Sequence, residues 1–201
     1  MKRGVDIVFP ASATAFALVS AATGAGLFSV LDRWILGASQ RISLDLLDRF
    51  SGFFSLAGSL EVIGAALVLL LLILVLTGRR RLAVRLLAAF VVTGLVELGM
   101  KFFLSVPPMP DVAARMADPT PLVAFEYPFP YPSGHTLRSI LVFGAIFVLW
   151  KNGISRTVLA IFISSMALSR VYLGVHWTSD VVGGALLGIA GLAWVLRPGK
   201  E

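Results

Sequence analysis

The sequence predicts an all-α integral membrane protein, a single bundle of six transmembrane helices, and three observations predict it. Of 201 residues, 58% are hydrophobic and only 14% charged, with a mean hydropathy of +0.91, far from the balance of a soluble domain. Several windows reach the roughly 20 apolar residues that a helix needs to cross a hydrocarbon core. The basic residues sort into alternate turns, as the positive-inside rule requires. Inside lipid each backbone amide must be paired within its own segment, so these runs are helices and not open strands.

The first span covers roughly residues 11 to 31. The "MKRG" ahead of it also suits a signal peptide, but no A-x-A-like site follows a compact core, so the segment is read as a span. Residues 32 to 52, "DRWILGASQRISLDLLDRFSG", set Trp34, Ile35, Leu36, Leu44, Leu46 and Leu47 among charges. They form either a short amphipathic helix on the membrane surface or an irregular loop. The second span, about 54 to 77, ends in the turn "GRRR", Gly78 to Arg81. The third covers about 83 to 105.

A long connection follows, ending in "PTPLVAFEYPFPYP", Pro119 to Pro132. Its prolines forbid a regular helix, and Phe125, Tyr127, Phe129 and Tyr131 suit a membrane interface; a lid or headgroup wall is expected there. The fourth span, about 136 to 150, is followed by a turn with Lys151 and Arg156, and the fifth covers about 157 to 173. In the sixth, about 179 to 196, Gly184 and Gly188 form a G-x-x-x-G pair that permits close packing within the bundle, or alternatively a homodimer face. No repeat or low-complexity tract interrupts residues 1 to 201, which read as one domain.

Lys2, Arg3, Arg79, Arg80, Arg81, Arg85, Lys151, Arg156, Arg197 and Lys200 all fall in the segments on one side. Both termini are therefore expected in the cytoplasm, with the chain in the cell (inner) membrane. The net charge of +6 is a topology signal and calls for no nucleic-acid partner. The absence of cysteine excludes disulfides and thiolate chemistry.

Ionisable groups near a span are expensive and mark function. On this topology Lys101, His135, Arg170, His176 and Asp180 all reach the extracytoplasmic side. Lysine and arginine can hold a phosphate, and "SG" ahead of a helix offers N–H donors at a positive helix end. In "HWTSD" the histidine and aspartate share one helical face if the turn is helical, and the carboxylate can fix the imidazole tautomer. A second histidine can protonate a leaving oxygen. Two histidines, one carboxylate and two fixed cations suit phosphoryl transfer without a metal.

These residues resemble a known family, the type 2 phosphatidic acid phosphatases, related to the vanadium haloperoxidases. Its motifs are K-x6-R-P, P-S-G-H and S-R-x5-H-x3-D. The chain has "PSGH", Pro132 to His135, and "SRVYLGVHWTSD", Ser169 to Asp180, both complete and in order. The resemblance implies that His176 attacks phosphorus to give a phosphohistidine, and that Asp180 orients it. It also implies that His135 protonates the leaving group and then activates water, while Lys101, Arg170, Ser133 and Gly134 hold the phosphoryl oxygens, with no metal or cofactor.

The first motif departs from the family. Lys101 opens "KFFLSVPPMP", so Pro108 stands where the family has arginine. Arg138, about one turn beyond His135, is the candidate to restore that charge, and Arg115 is a second. Each polar residue also has a plainer reading: Glu97 can pair with Lys101 four residues on, Arg138 can snorkel to headgroups, and Glu61 can pack against another polar group. The predicted reaction is hydrolysis of a phosphomonoester or pyrophosphate on a lipid, such as a polyprenyl pyrophosphate, phosphatidylglycerol phosphate, phosphatidic acid or a phosphorylated glycolipid. The alternatives are a non-hydrolytic lipid-phosphate binding or transport protein, which Pro108 would favour, and a phosphoryl transferase.

Overall fold

The computed structural model describes residues 2–42, 44–110 and 127–197. Among these, all regular structure is helical: α1 (Lys2–Gly24), α2 (Ser29–Gln40), α3 (Asp45–Ala57), α4 (Leu60–Leu76), α5 (Arg80–Phe103), α6 (Gly134–Leu149), α7 (Gly153–Tyr172) and α8 (Thr178–Val195). The boundaries follow local chemistry. Ser59 caps α4 by accepting from the Val62 N–H at 3.3 Å, and Asn152 caps α7 by accepting from Ser155 at 3.2 Å, each satisfying a donor that the helix leaves open. Gly78, at φ 77°, supplies the left-handed turn that separates α4 from α5.

The expected six spans are met in part. Four helices are long and apolar enough to cross a membrane (α1 from Asp6, α5, α7 and α8), and α3 with α4 makes a fifth if that bent pair is one crossing. Two expected spans differ for identifiable reasons. The run read as 11 to 31 ends at Gly24, because the backbone reverses through Gly26 at φ 72° and restarts as α2. The run read as 54 to 77 breaks at Gly58–Ser59 with a 52° bend. The fourth, α6, has 16 residues, about 24 Å of helix against a core of about 30 Å. In place of one surface helix or loop between the first two spans there are two helices, α2 and the start of the bent pair.

Helices α6 and α8 are central. Leu141, Val142 and Ala145 on α6 are buried against Ile63, Leu67 and Leu70 of α4, Leu86 of α5 and Val195 of α8, while the buried Leu137 of α6 packs with Phe16 of α1, Tyr131 and Leu187 of α8. Close approach of α8 to α6 depends on the G-x-x-x-G pair: a Cβ at Gly184 would collide with the Ser133 carbonyl, and one at Gly188 would lie 2.8 Å from the Leu137 carbonyl. That is the intramolecular use of the motif. Outward-facing Leu69, Leu72, Val84, Val91, Leu95, Ile161 and Leu168 remain exposed, an apolar coat suited to a lipid surround.

Candidate active site

Five chain segments converge at one end of the bundle. They are the end of α5, the start of α6, the end of α7, the start of α8 and the bend between α3 and α4. They enclose a cavity of about 460 Å³, whose polar wall includes Ser55, Glu97, Lys101, His135, Arg138, Arg170 and His176. The arginine-rich turns lie at the other end, where Arg85 donates to the Arg197 carbonyl at 2.6 Å.

The turn after α7 positions His176. Gly174, at φ 71°, lets the chain curl so that the His176 N–H donates to the Arg170 carbonyl at 3.2 Å. One helical turn on, the Asp180 Oδ2 lies 3.2 Å from His176 Nδ1. The same oxygen accepts from the Trp177 N–H at 2.9 Å, so the carboxylate both caps α8 and fixes the imidazole. Asp180 is fully buried.

The two complete motifs are tied together. The Ser133 N–H donates to the Asp180 carbonyl at 2.9 Å, and the Ser133 hydroxyl accepts from Thr136 at 3.2 Å. Ser133, expected to hold phosphate, is wholly buried and holds the second motif to the third. Gly134 and His135 do line the cavity.

The cations are arranged around a carboxylate. Glu97, buried in α5, lies 3.7 Å from Lys101 Nζ and 2.6 Å from Arg138 Nη1. The plain Glu97–Lys101 pairing therefore exists, and a third member joins it from α6. Arg138 turns inward, with 18% of its side chain exposed, rather than snorkelling. Its Nε is buried and meets no hydrogen-bond partner among the described residues. Pro108, the residue in the position of the family arginine, is also in the cavity wall. Arg115 lies outside the described residues, as do 119–126 of the loop expected to form a lid. The described end of that loop fulfils the wall role: Tyr127 stacks over Lys101 Nζ at 4.5 Å, and the Phe129 N–H donates to the Lys101 carbonyl at 3.2 Å.

Several supporting residues were not anticipated from the sequence. Ser55 on α3 accepts from Arg170 Nη1. Gly58 admits His135: a Cβ there would stand 2.7 Å from His135 Cδ2. Asp32 on α2 accepts from both the N–H (2.9 Å) and the hydroxyl (2.6 Å) of Ser179. Tyr131, expected at the membrane interface, is instead fully buried in the bundle, where it shares a 2.8 Å hydrogen bond with Ser20 of α1 and burial pushes its phenol up to about 12 despite that bond. The only trace of these in the sequence is the spacing of Ser51 and Ser55 among phenylalanines, a pattern of small residues that marks a packed helix face.

Fold and site together define an all-helical membrane protein with a cationic, histidine-bearing cavity at one end of its bundle. Residues 82–199 match the PAP2 superfamily model, and the chain belongs to that superfamily. It aligns with the crystal structure of a transmembrane PAP2 type phosphatidylglycerolphosphate phosphatase from Bacillus subtilis at a TM-score of 0.70 and 22% identity, over 92% of both chains; the two share a fold. A 61-residue stretch is 41% identical to the "Putative undecaprenyl-diphosphatase YbjG" of Escherichia coli K12. An alignment over 67 residues is 43% identical to an undecaprenyl-diphosphatase of Sulfolobus acidocaldarius. Each match covers 30% of this chain, and 30% and 29% respectively of the two relatives.

Proposed function

We propose that the protein is a lipid phosphatase that cleaves a phosphomonoester or pyrophosphate from a membrane lipid without a metal. The observation that carries this reading is the His176–Asp180 pair at the wall of a cavity that also receives His135, Lys101, Arg138 and Arg170. His176 Nε2 forms a bond to phosphorus while the bond from phosphorus to the leaving oxygen breaks. The bonding pair departs with that oxygen, which takes a proton from His135. Asp180 stabilises the imidazolium character that develops on His176. Water then attacks the phosphohistidine, losing its proton to His135, and inorganic phosphate is released. Lys101 and Arg170 balance the charge of the transferred phosphoryl group, with the Gly134 N–H at the start of α6, and Arg138 adds a further cation to the cavity.

The names of the two relatives support a polyprenyl diphosphate as substrate ahead of phosphatidic acid. The finer topology belongs to the same proposal: one domain with six crossings, the termini in the cytoplasm and the cavity at the outer face, where a headgroup stays in water while its tail stays in lipid. Pro108 in the cavity wall favours one rival, a protein that binds lipid phosphates without turnover.

Phosphate release from purified full-length chain in detergent with EDTA tests the proposal. Wild type should release phosphate from a lipid phosphate or diphosphate, and His176→Ala should be slower by about 10³-fold or more. No release from either substrate class, or undiminished release by His176→Ala, would sink it.

A further inference from the structure

We propose that Arg138, anchored by Glu97, contacts the phosphate of the leaving group and makes the site selective for a lipid diphosphate over a lipid monophosphate. The inference rests on the proposed reaction, in which His135 faces the leaving oxygen.

In the proposed reaction the groups of the cavity wall fall into two sets. His176, Asp180 and Arg170 belong to the nucleophile set, bound together by the Asp180 carboxylate and by the His176 N–H to the Arg170 carbonyl. His135 and Arg138 belong to the other. They are three residues apart on α6, on one helical face, and both line the cavity. Arg170 also acts on His135 through its charge, but its Nη1 donates to Ser55 on α3; Arg138 shares the α6 face of the proposed general acid and is the cation assigned here to the leaving group.

Which leaving group needs a cation there follows from its chemistry. A monoester releases an alcohol, whose oxygen requires a proton, and His135 supplies it. A diphosphate releases a lipid monophosphate, a stable anion that requires a fixed positive charge more than a proton. In that cleavage His176 bonds to the terminal phosphorus, and the bridging P–O bond breaks with its electron pair on the bridging oxygen. Arg138 then holds the departing phosphate.

Arg138 is built for this contact. Glu97 holds only Nη1, while the buried Nε has no partner among the described residues and offers a charge-assisted bond to an incoming oxygen. A side chain at Gly134 would strike both the Glu97 carboxylate and Arg138 Nη2, so the glycine makes room for the pair. Glu97 is a positioning residue. It also lowers the summed charge of Lys101, Arg138 and Arg170 by one, so the guanidinium is oriented without the site becoming a trap for any anion.

Matched farnesyl diphosphate and farnesyl phosphate provide the test, with the intact chain in detergent. Arg138→Ala should lower the ratio of kcat/KM for diphosphate over monophosphate by about 30-fold or more, the range of one charged hydrogen bond. Arg138→Lys, which keeps the charge and loses the fork, should restore part of the ratio, and Glu97→Gln should lower it by about tenfold. Equal losses on both lipids in Arg138→Ala would overturn the inference and leave Arg138 a structural residue or a ligand of the transferred group. A binding arm separates this failure from failure of the reaction itself. In His176→Ala, which cannot form the phosphohistidine, farnesyl diphosphate should bind more tightly than farnesyl phosphate, and adding Arg138→Ala should erase the preference. If wild type hydrolyses neither lipid, that comparison still decides: a preference erased by Arg138→Ala supports the contact, and equal binding with Arg138 present refutes it.

Discussion

At the scale of single residues, the chemistry depends on side chains that do two things at once. Asp180 holds both the His176 imidazole and the Trp177 N–H through one carboxylate oxygen. Asp180→Asn can retain the cap through its amide oxygen and lose control of the imidazole tautomer. It should fold with a thermal midpoint near wild type and lose turnover by up to about 10⁴-fold; an unfolded variant would show that the cap dominates. Gly58 is another such position. Gly58→Ala drives a methyl against His135 Cδ2 and the Met166 thioether, so kcat should fall about tenfold or more while KM changes little, since small misplacements of an acid are costly. The His176–Asp180 pair was legible because its spacing is local and fixed by a turn, whereas Lys101, His135 and Arg170 were picked out by their place at span ends and by the motifs. Arg138 was legible as a candidate and Glu97 as the partner of Lys101, but the Arg138–Glu97 pair was not, because 41 residues separate the two and only folding brings α5 and α6 together. Ser55, Gly58 and Asp32 carry no local signature of a site.

At the scale of helices, the decisive contacts are capping and close packing. Asp32 of α2 covers the exposed donors at the start of α8, so Asp32→Ala strands the Ser179 N–H in a buried place. Denaturant or SDS titration should read a loss of about 1–2 kcal/mol, with activity falling because α8 carries Asp180. Gly184→Ala should cost more, because its methyl meets the rigid Ser133 carbonyl and not a flexible side chain; a variant as stable and active as wild type would refute the packing role. The helices were legible from apolar runs, but the break at Gly58–Ser59 was not. Hydropathy counts apolar residues and is blind to direction, and both halves of the bent pair are apolar. The early end of α1 was missed for the same reason, since Ala25, Leu27 and Phe28 extend the apolar run through a turn.

At the scale of the whole molecule, charge and cavity occupy opposite ends. The chain lacks cysteine, so a single introduced thiol reports its own side. A membrane-impermeant maleimide should label Ile42→Cys and Ser105→Cys in intact cells, and Thr77→Cys and Lys151→Cys only after lysis. The reverse pattern would place the cavity in the cytoplasm. Sequence predicted this polarity from arginines and lysines alone, because the cost of moving charge through lipid acts on segments irrespective of fold. The assembly of the bundle has a further consequence, in time. Helix α8 packs on α1, Asp32 of α2 caps it, and Ser20 of α1 holds Tyr131 just ahead of α6. Translation delivers α1 and α2 to the membrane long before α8 arrives with Asp180. The earliest helices therefore precede their packing partner into the membrane. Until α8 enters, His176 has no Asp180 beside it and the place that α8 takes against α1 and α6 stands open.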